Sequence, residues 1–555
     1  MGLDKRMKKR IQQIDKNLDA IVKNPYEKEH IVEKKESRFP LWAKWAIPFG
    51  SVALACSLTL AIVLPVANKN GAADYLGGSA AVVNNSKEKG ESHNHEPMGG
   101  DNDSSTKAVP GKSTLDSIPD LCESVVVPLQ DYNVLAPAAV NKYSNDPTLA
   151  MSETTYNSYT AFAKKFSSLM IQLGNANGEK SLGVSIPDAY LCFAITGIIS
   201  DQAGCNDVLS YLELSSVDEL KAASREIVAT LGTLSKSYGY NNKYIGGYNL
   251  NSIWLDPNQV TLRDGDDKDE GLYDDLANVF DVSLINEGLE EDKANKYLRD
   301  YAPDGAPIPV VDLDDDAPAL GVMSAFFYMD LLRDMDIYQS QYERGNHFMN
   351  YTFGGTTKSV DYVHYSDYSG QYLEGNGFHA AEIDMRLGGI YFYLPDDDTA
   401  MPSTILQDVL DQNYSPVTIP SESGEYERSY YPLDVEAPYF KMNNGILLNE
   451  TPLQTILPHL SASGMGSRLI DQNNVFLSAI LQFSTMSFDY RGFYSASVTI
   501  ATGDTSVGGP ELTFTVDHPF VFETRYNVTV NGSYLTVPVV IGEVVDPAYP
   551  AYQAS

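Results

Sequence analysis

From Tyr156 onward, apolar residues recur at a helical spacing. Phe162, Phe166, Leu169, Met170 and Leu173 fall on one face and predict an amphipathic first helix. Gly183 to Ile199 (GVSIPDAYLCFAITGII) has a different rhythm: a short strand, a turn, then a long buried helix. A helical stretch is expected near Ala294 to Tyr301, and a strand over Leu320 to Asp330. Near the C-terminus a strand-like run enters at Phe483, continues to Tyr490 and breaks at Gly492. A loop rich in Ser, Thr, Ala and Gly follows, and a second strand re-enters through Asp517-His518-Pro519-Phe520-Val521-Phe522.

The N-terminal third carries other patterns. Trp45 to Val66 is a stretch of 22 residues without charge, enough to span a bilayer. Residues 1–44 hold 12 Lys/Arg against 7 Asp/Glu, so the positive-inside bias places them in the cytoplasm and the C-terminal part outside. Cleavage is disfavoured because 44 residues precede the apolar run and no A-x-A site follows it cleanly. Met7, Ile11, Ile14, Leu18 and Ile21 repeat at 4-3-4-3 in the basic segment; two heptads alone are marginal, so a short solvated helix is expected there. Residues 67–115 are dominated by Gly, Ser, Asn and Asp and read as a flexible stalk with a reach of about 35–40 Å. His93 and His95 lie in it with no companion ligands nearby. Residues 116–153 form an extension without an assigned role. A main domain is expected over 154–547, with a tail at 548–555.

Charge narrows the partners. The chain carries a formal net charge of −35, and the basic leader leaves the remainder more acidic still. Such a surface argues against nucleic acid and against adhesion to anionic lipid, and it steers cationic proteins.

Several phrases, taken in order, resemble the serpin family. Ser185 and Pro187 stand near the end of a strand that leads into a central helix. Asn249-Leu250-Asn251-Ser252-Ile253-Trp254-Leu255-Asp256 is similar to the family's N-S-I-W-V strand. Leu320 to Asp330 (LGVMSAFFYMD) resembles its central strand, with Ser324 in place of Asn. Ile383 to Asp398 resembles the paired strands ending in LP-D-E, and Ala437-Pro438-Tyr439-Phe440-Lys441 the P-x-F-K strand. The closing phrase is DHPFVF, at 517–522. The resemblance implies an α+β fold with a large mixed central sheet, two further sheets, eight to nine helices and an exposed C-terminal reactive loop. It also implies a suicide inhibitor. A target serine protease attacks the loop and forms an acyl-enzyme, and the cleaved loop inserts into the main sheet before the ester is hydrolysed; loop insertion is one of the general peptide-recognition modes.

Aligned on the family's hinge glycine, Gly492 opens a hinge of Phe493, Tyr494, Ser495, Ala496, Ser497, Val498 and Thr499. Alternation gives an inward set of Phe493, Ser495, Ser497, Thr499 and Ala501. Phe493 departs from the small hydroxyl residue usual there, as do Tyr490 and Arg491 from the acidic residues that usually precede the glycine. Overpacking costs about 1–3 kcal/mol, which would slow insertion roughly 5- to 150-fold if it fell wholly on that barrier. A site widened for the ring would remove that cost. Gln482 stands where the family usually has a buried His. Counting 14 residues beyond the hinge glycine, as inhibitory members do, puts the reactive bond at Ser506–Val507, within a window of Thr505 to Gly508. Small residues there point to elastase- or subtilisin-like serine proteases.

Other chemistries fail. There is no Gly-x-Ser-x-Gly elbow and the eight His are scattered, so an enzyme is not expected. The acidic runs at 264–271 and 312–316 lack the Gly and closing Glu of a calcium loop, so no metal or cofactor is implied. Cys122, Cys192 and Cys205 allow at most one disulfide outside the membrane. The expectation is a monomeric, single-pass, cell-surface serpin-like inhibitor, with a non-inhibitory serpin-fold binding protein as the second reading.

Overall fold

The computed structural model describes residues 132–138 and 150–547, apart from 179–180, 233, 238–242, 264–267, 304–305, 314–317, 333–347, 421–426, 473, 490–491 and 495–511. The expected span at 45–66, its basic leader and the stalk lie outside the described residues, as do Cys122 and the 548–555 tail. Among the described residues no helix is long and apolar enough to cross a membrane.

The described chain starts with a short strand, β1 (Val134–Ala136). The first helix, α1 (Glu153–Ala176), begins where Ser152 accepts a hydrogen bond from Thr155 N and so satisfies an orphan donor of the first turn. Its stripe of Phe162, Phe166 and Met170 is buried, while Leu169 and Leu173 flank the core. Strand β2 (Ser181–Ser185) feeds α2 (Pro187–Ile198), and Pro187 suits the first turn because its missing N–H is unpaired there anyway. Helix α2 is apolar nearly all round and runs through the core. Two capped helices follow, α3 (Gln202–Tyr211) after Asp201 and α4 (Val217–Leu231) after Ser216.

The next stretch builds one side of the central sheet: β3 (Leu234–Ser237), β4 (Lys243–Leu255), α5 (Glu270–Asn278), β5 (Val282–Ile285), α6 (Glu291–Tyr301) and β6 (Leu320–Leu331). Then come β7 (Phe348–Phe353), β8 (Thr356–Gly370), β9 (Tyr372–Gly375), β10 (Phe378–Asp384), β11 (Gly388–Pro395) and the short α7 (Leu406–Leu410). They are followed by β12 (Tyr414–Pro416), β13 (Ile419–Pro420), β14 (Glu427–Arg428), β15 (Tyr431–Pro438), β16 (Phe440–Leu448) and α8 (Glu450–Ile456). The C-terminal part supplies β17 (Ile480–Asp489), β18 (Gly492–Tyr494), β19 (Leu512–Thr515), β20 (Phe520–Val530) and β21 (Ser533–Val544).

These strands form three main sheets. The central one runs β1-β5-β4-β6-β18-β17-β16, with β3 paired to β4. The second runs β12-β9-β10-β11-β20-β21-β2, and the third β19-β15-β8-β7. β20 and β21 meet at Asn531-Gly532, both at positive φ (49° and 80°), a left-handed pair that matches the twist of a two-residue hairpin. Eight α-helices stand among the described residues, within the range expected.

Sequence boundaries were close for the long elements. The expected strand at Ala437 to Lys441 is instead the junction of β15 and β16, broken at Tyr439. The acidic 264–271 run lies partly outside the described residues, but Asp269 has a structural task. Its carboxylate caps α5 at Leu272 N (3.0 Å) and pairs with Arg468 (2.5 Å). Cys192 and Cys205 are free thiols.

Hinge and open cleft as candidate site

Central strands β6 and β17 run in the same direction, because β18 is antiparallel to both. Among the described residues no ladder joins β6 directly to β17. Among the described residues β18 is what stands between them, at one end: Gly492 pairs with Leu331 and Asp489, Phe493 with Asp330 and Phe488, and Tyr494 with Met329 and Ser487. Gly492 was expected to break the strand. It does turn the chain, at φ +142°, but it also begins the new strand. Any Cβ there would lie 2.2 Å from Asp330 O, so only glycine fits.

Phe493, the hinge residue that looked too large, is fully buried. Its ring lies 6.0 Å from that of Phe522 on β20, in the main core. The seat beside it is polar on one side. Asp330 is buried and accepts from Leu331 N (2.9 Å), Leu387 N (3.1 Å) and Tyr328 Oη (3.0 Å). Burial pushes its carboxyl up to about 7 in spite of these donors.

Beyond Tyr494 the two strands part around a cleft of about 260 Å³, lined by β6, β17 and the start of α2. Among its mainly apolar lining stand several polar side chains. Gln482 donates Nε2 to Ser185 O (2.6 Å), yet its Oε1 is buried without a partner, as is Ser484 Oγ. Ser324 donates to Asn251 Oδ1 (2.7 Å), and Asn251 in turn to Phe280 O (2.9 Å). Burial pushes the Asp188 carboxyl in this lining up to about 6. Orphaned buried polar atoms are costly, and Gln482 and Ser484 both line the cleft. Cys192 also lines the cleft, its thiol pushed up to about 12 by burial.

The far end of the loop is anchored as well. β19 pairs in parallel with β15, at the edge of the third sheet. In the DHPF phrase, His518 is buried and holds β11 and β20 together, with Nε2 on Pro395 O (2.7 Å) and Nδ1 on Asp517 (2.8 Å). Burial opposes the charge on His518, but Asp517 and the Pro395 carbonyl outweigh it and raise its pKa.

Of the expected site residues, Gly492, Phe493 and Tyr494 are brought into the central sheet between β6 and β17. Ser495, Ala496, Ser497, Val498, Thr499, Ser506 and Val507 lie outside the described residues. Sequence reasoning missed the role of Asp330, and it missed that the hinge is already a strand.

The architecture has known counterparts. A thermophilic serpin, tengpin, in its native state overlays with a TM-score of 0.52 at 16% identity, covering 71% of this chain and 95% of its own. Serpin48 of the insect Tenebrio molitor gives 0.51 at 13% identity, covering 70% and 97%. The fold is that of the serpins. In sequence the chain is similar to Serpin-Z1 of Arabidopsis thaliana, 25% identical over 409 residues, which is 68% of this chain and 91% of the plant serpin. No family model matches the chain. The plant relative and the structural neighbours agree in pointing to the serpins.

Proposed function

We propose that this serpin-fold chain is a membrane-tethered suicide inhibitor of serine proteases of the elastase or subtilisin type. The observation that carries the reading is the cleft: two parallel strands held apart, with the first residues of the reactive loop seated at one end. A target protease attacks the Ser506–Val507 bond, and its nucleophile becomes esterified to the Ser506 carbonyl as the amine of Val507 departs. The freed N-terminal part then extends β18 down the cleft and carries the protease with it.

Extending the observed pairing supports a specific register. Ser495 falls opposite Tyr328 and Met486, Ser497 opposite Phe326 and Ser484, Thr499 opposite Ser324 and Gln482, and Ala501 opposite Val322 and Ile480. Ser497 and Thr499 thereby meet the two orphaned groups on β17, turning a desolvation penalty into hydrogen bonds. Phe493 is no obstacle in this scheme, since its ring is buried before any cleavage. The uncharged 45–66 stretch supplies the tether, and the acidic outer part attracts cationic proteases.

The same hinge supports a second reading. A ring locked into the core before cleavage suits a non-inhibitory binding protein in which β18 is a permanent latch. Incubation with elastase and subtilisin separates the two. An inhibitor forms a complex that survives SDS, and a binding protein is cleaved without one.

A further inference from the structure

The extension ahead of α1 resembles none of the serpin phrases, yet part of it is built into the central sheet. β1 lies on the sheet's outer edge, antiparallel to β5. Asn286 N donates to Asn133 O (2.9 Å), Asn133 N to Glu287 Oε1 (2.8 Å) and Ala138 N to Ser283 Oγ (3.1 Å). Just before the strand, Tyr132 is buried to 8% exposure. Its ring meets Trp254 of β4 edge-on at 5.8 Å and Tyr297 of α6 at 5.4 Å. Lys296 of α6 lies 5.1 Å from the same ring, and the Tyr132 hydroxyl donates to Asp300 at 3.4 Å. One side chain from the extension therefore fastens α6 to the sheet.

Helix α6 is also fastened on its cleft side. Asn295 exchanges two hydrogen bonds with Val311 (2.7 and 2.9 Å), and Val311 belongs to the segment that follows α6. Leu298 and Ala294 of α6 line the cleft together with Pro307, Pro309 and Val311. On the insertion proposed above, a strand entering the cleft meets this cover. Tyr132 thus sits at one end of a continuous chain of contacts, through α6 and its trailing segment, that ends on the cleft.

We propose that Tyr132 and β1 are a clamp, supplied by the upstream extension, that holds α6 down over the cleft and sets how readily the central sheet opens. The contact geometry stands alone; its consequence for inhibition rests on the function proposed above. The test is hydrogen exchange on the uncleaved full-length chain, wild type against Y132A and Y132F. Y132A raises exchange in 291–301 and 306–313 about tenfold through loss of the ring contacts, while exchange in α2 and β20 stays unchanged. Y132F keeps the rings and stays within about twofold of wild type. Unchanged exchange over α6 in Y132A would overturn the clamp. So would a rise shared equally by α2 and β20, which is general destabilisation. No protease enters this measurement, so it decides the clamp even if the wild-type chain traps none; that failure would be read separately as absence of an SDS-resistant complex.

Discussion

At the scale of single residues, the hinge is governed by Gly492, Phe493 and Asp330. Gly492→Ala places a methyl 2.2 Å from Asp330 O at a φ of +142°, so β18 is expected to leave the sheet. Amide exchange over 492–494 should then rise by about tenfold or more, whereas no change would mean that β18 is not held as described. Asp330 gives a pH signature. Burial raises its folded pKa to about 7, well above about 3.9 for an unfolded Asp. The folded state therefore keeps a proton that the unfolded state has lost, and stability falls as pH rises from about 4 through 7. His518 acts in the same sense, since a raised histidine pKa gives stability that is lost as pH rises through it. Asp330→Asn can still accept from Leu331 and Leu387 and donate to Tyr328. At a fixed heating rate, the unfolding temperature of the wild type should fall between pH 5 and 8, and that of Asp330→Asn should fall less. Equal slopes would mean that Asp330 does not carry this pH dependence.

At the scale of elements, the cleft lies between two strands with polar groups facing inward. If the loop enters in the proposed register, Thr499→Glu buries a second carboxylate opposite Gln482, which already neighbours Asp188. Cleavage in the Thr505 to Gly508 window should continue, while the gain in heat resistance that follows strand insertion should disappear. Retention of that gain would rule out this register. Much of the element layout was legible in the sequence. The spacing of Phe162, Phe166 and Met170 specifies the face of α1, and Pro187 marks the start of α2. The DHPF phrase was readable through its resemblance to the serpin closing phrase, and in the structure its His518 bonds Asp517 on one ring nitrogen and Pro395 O on the other. The state of the hinge was not legible. Whether Phe493 is strained or seated depends on Phe522 and Phe488, which reach it from other strands, and local pattern carries no record of that space. β1 was hidden for the same reason: three residues paired at a sheet edge leave too short a period to detect, and the anchor is a single Tyr132 ring.

At the scale of the whole molecule, β6 and β17 of the central sheet are joined through β18 at one end and flank a cleft, and on the function proposed above β18 is the start of the strand that fills it. The central claim is that cleavage completes this strand while the protease is still attached. Its most direct test is to incubate the chain with an elastase-like and a subtilisin-like protease and resolve the products on SDS gels, with mass spectrometry to find the cut. The expected result is a covalent complex, cleavage between Thr505 and Gly508, and a cleaved protein that withstands far more heat than the intact one. Cleavage at that window with no covalent band and no gain in heat resistance would contradict it, and would leave β18 as a fixed latch on a binding protein.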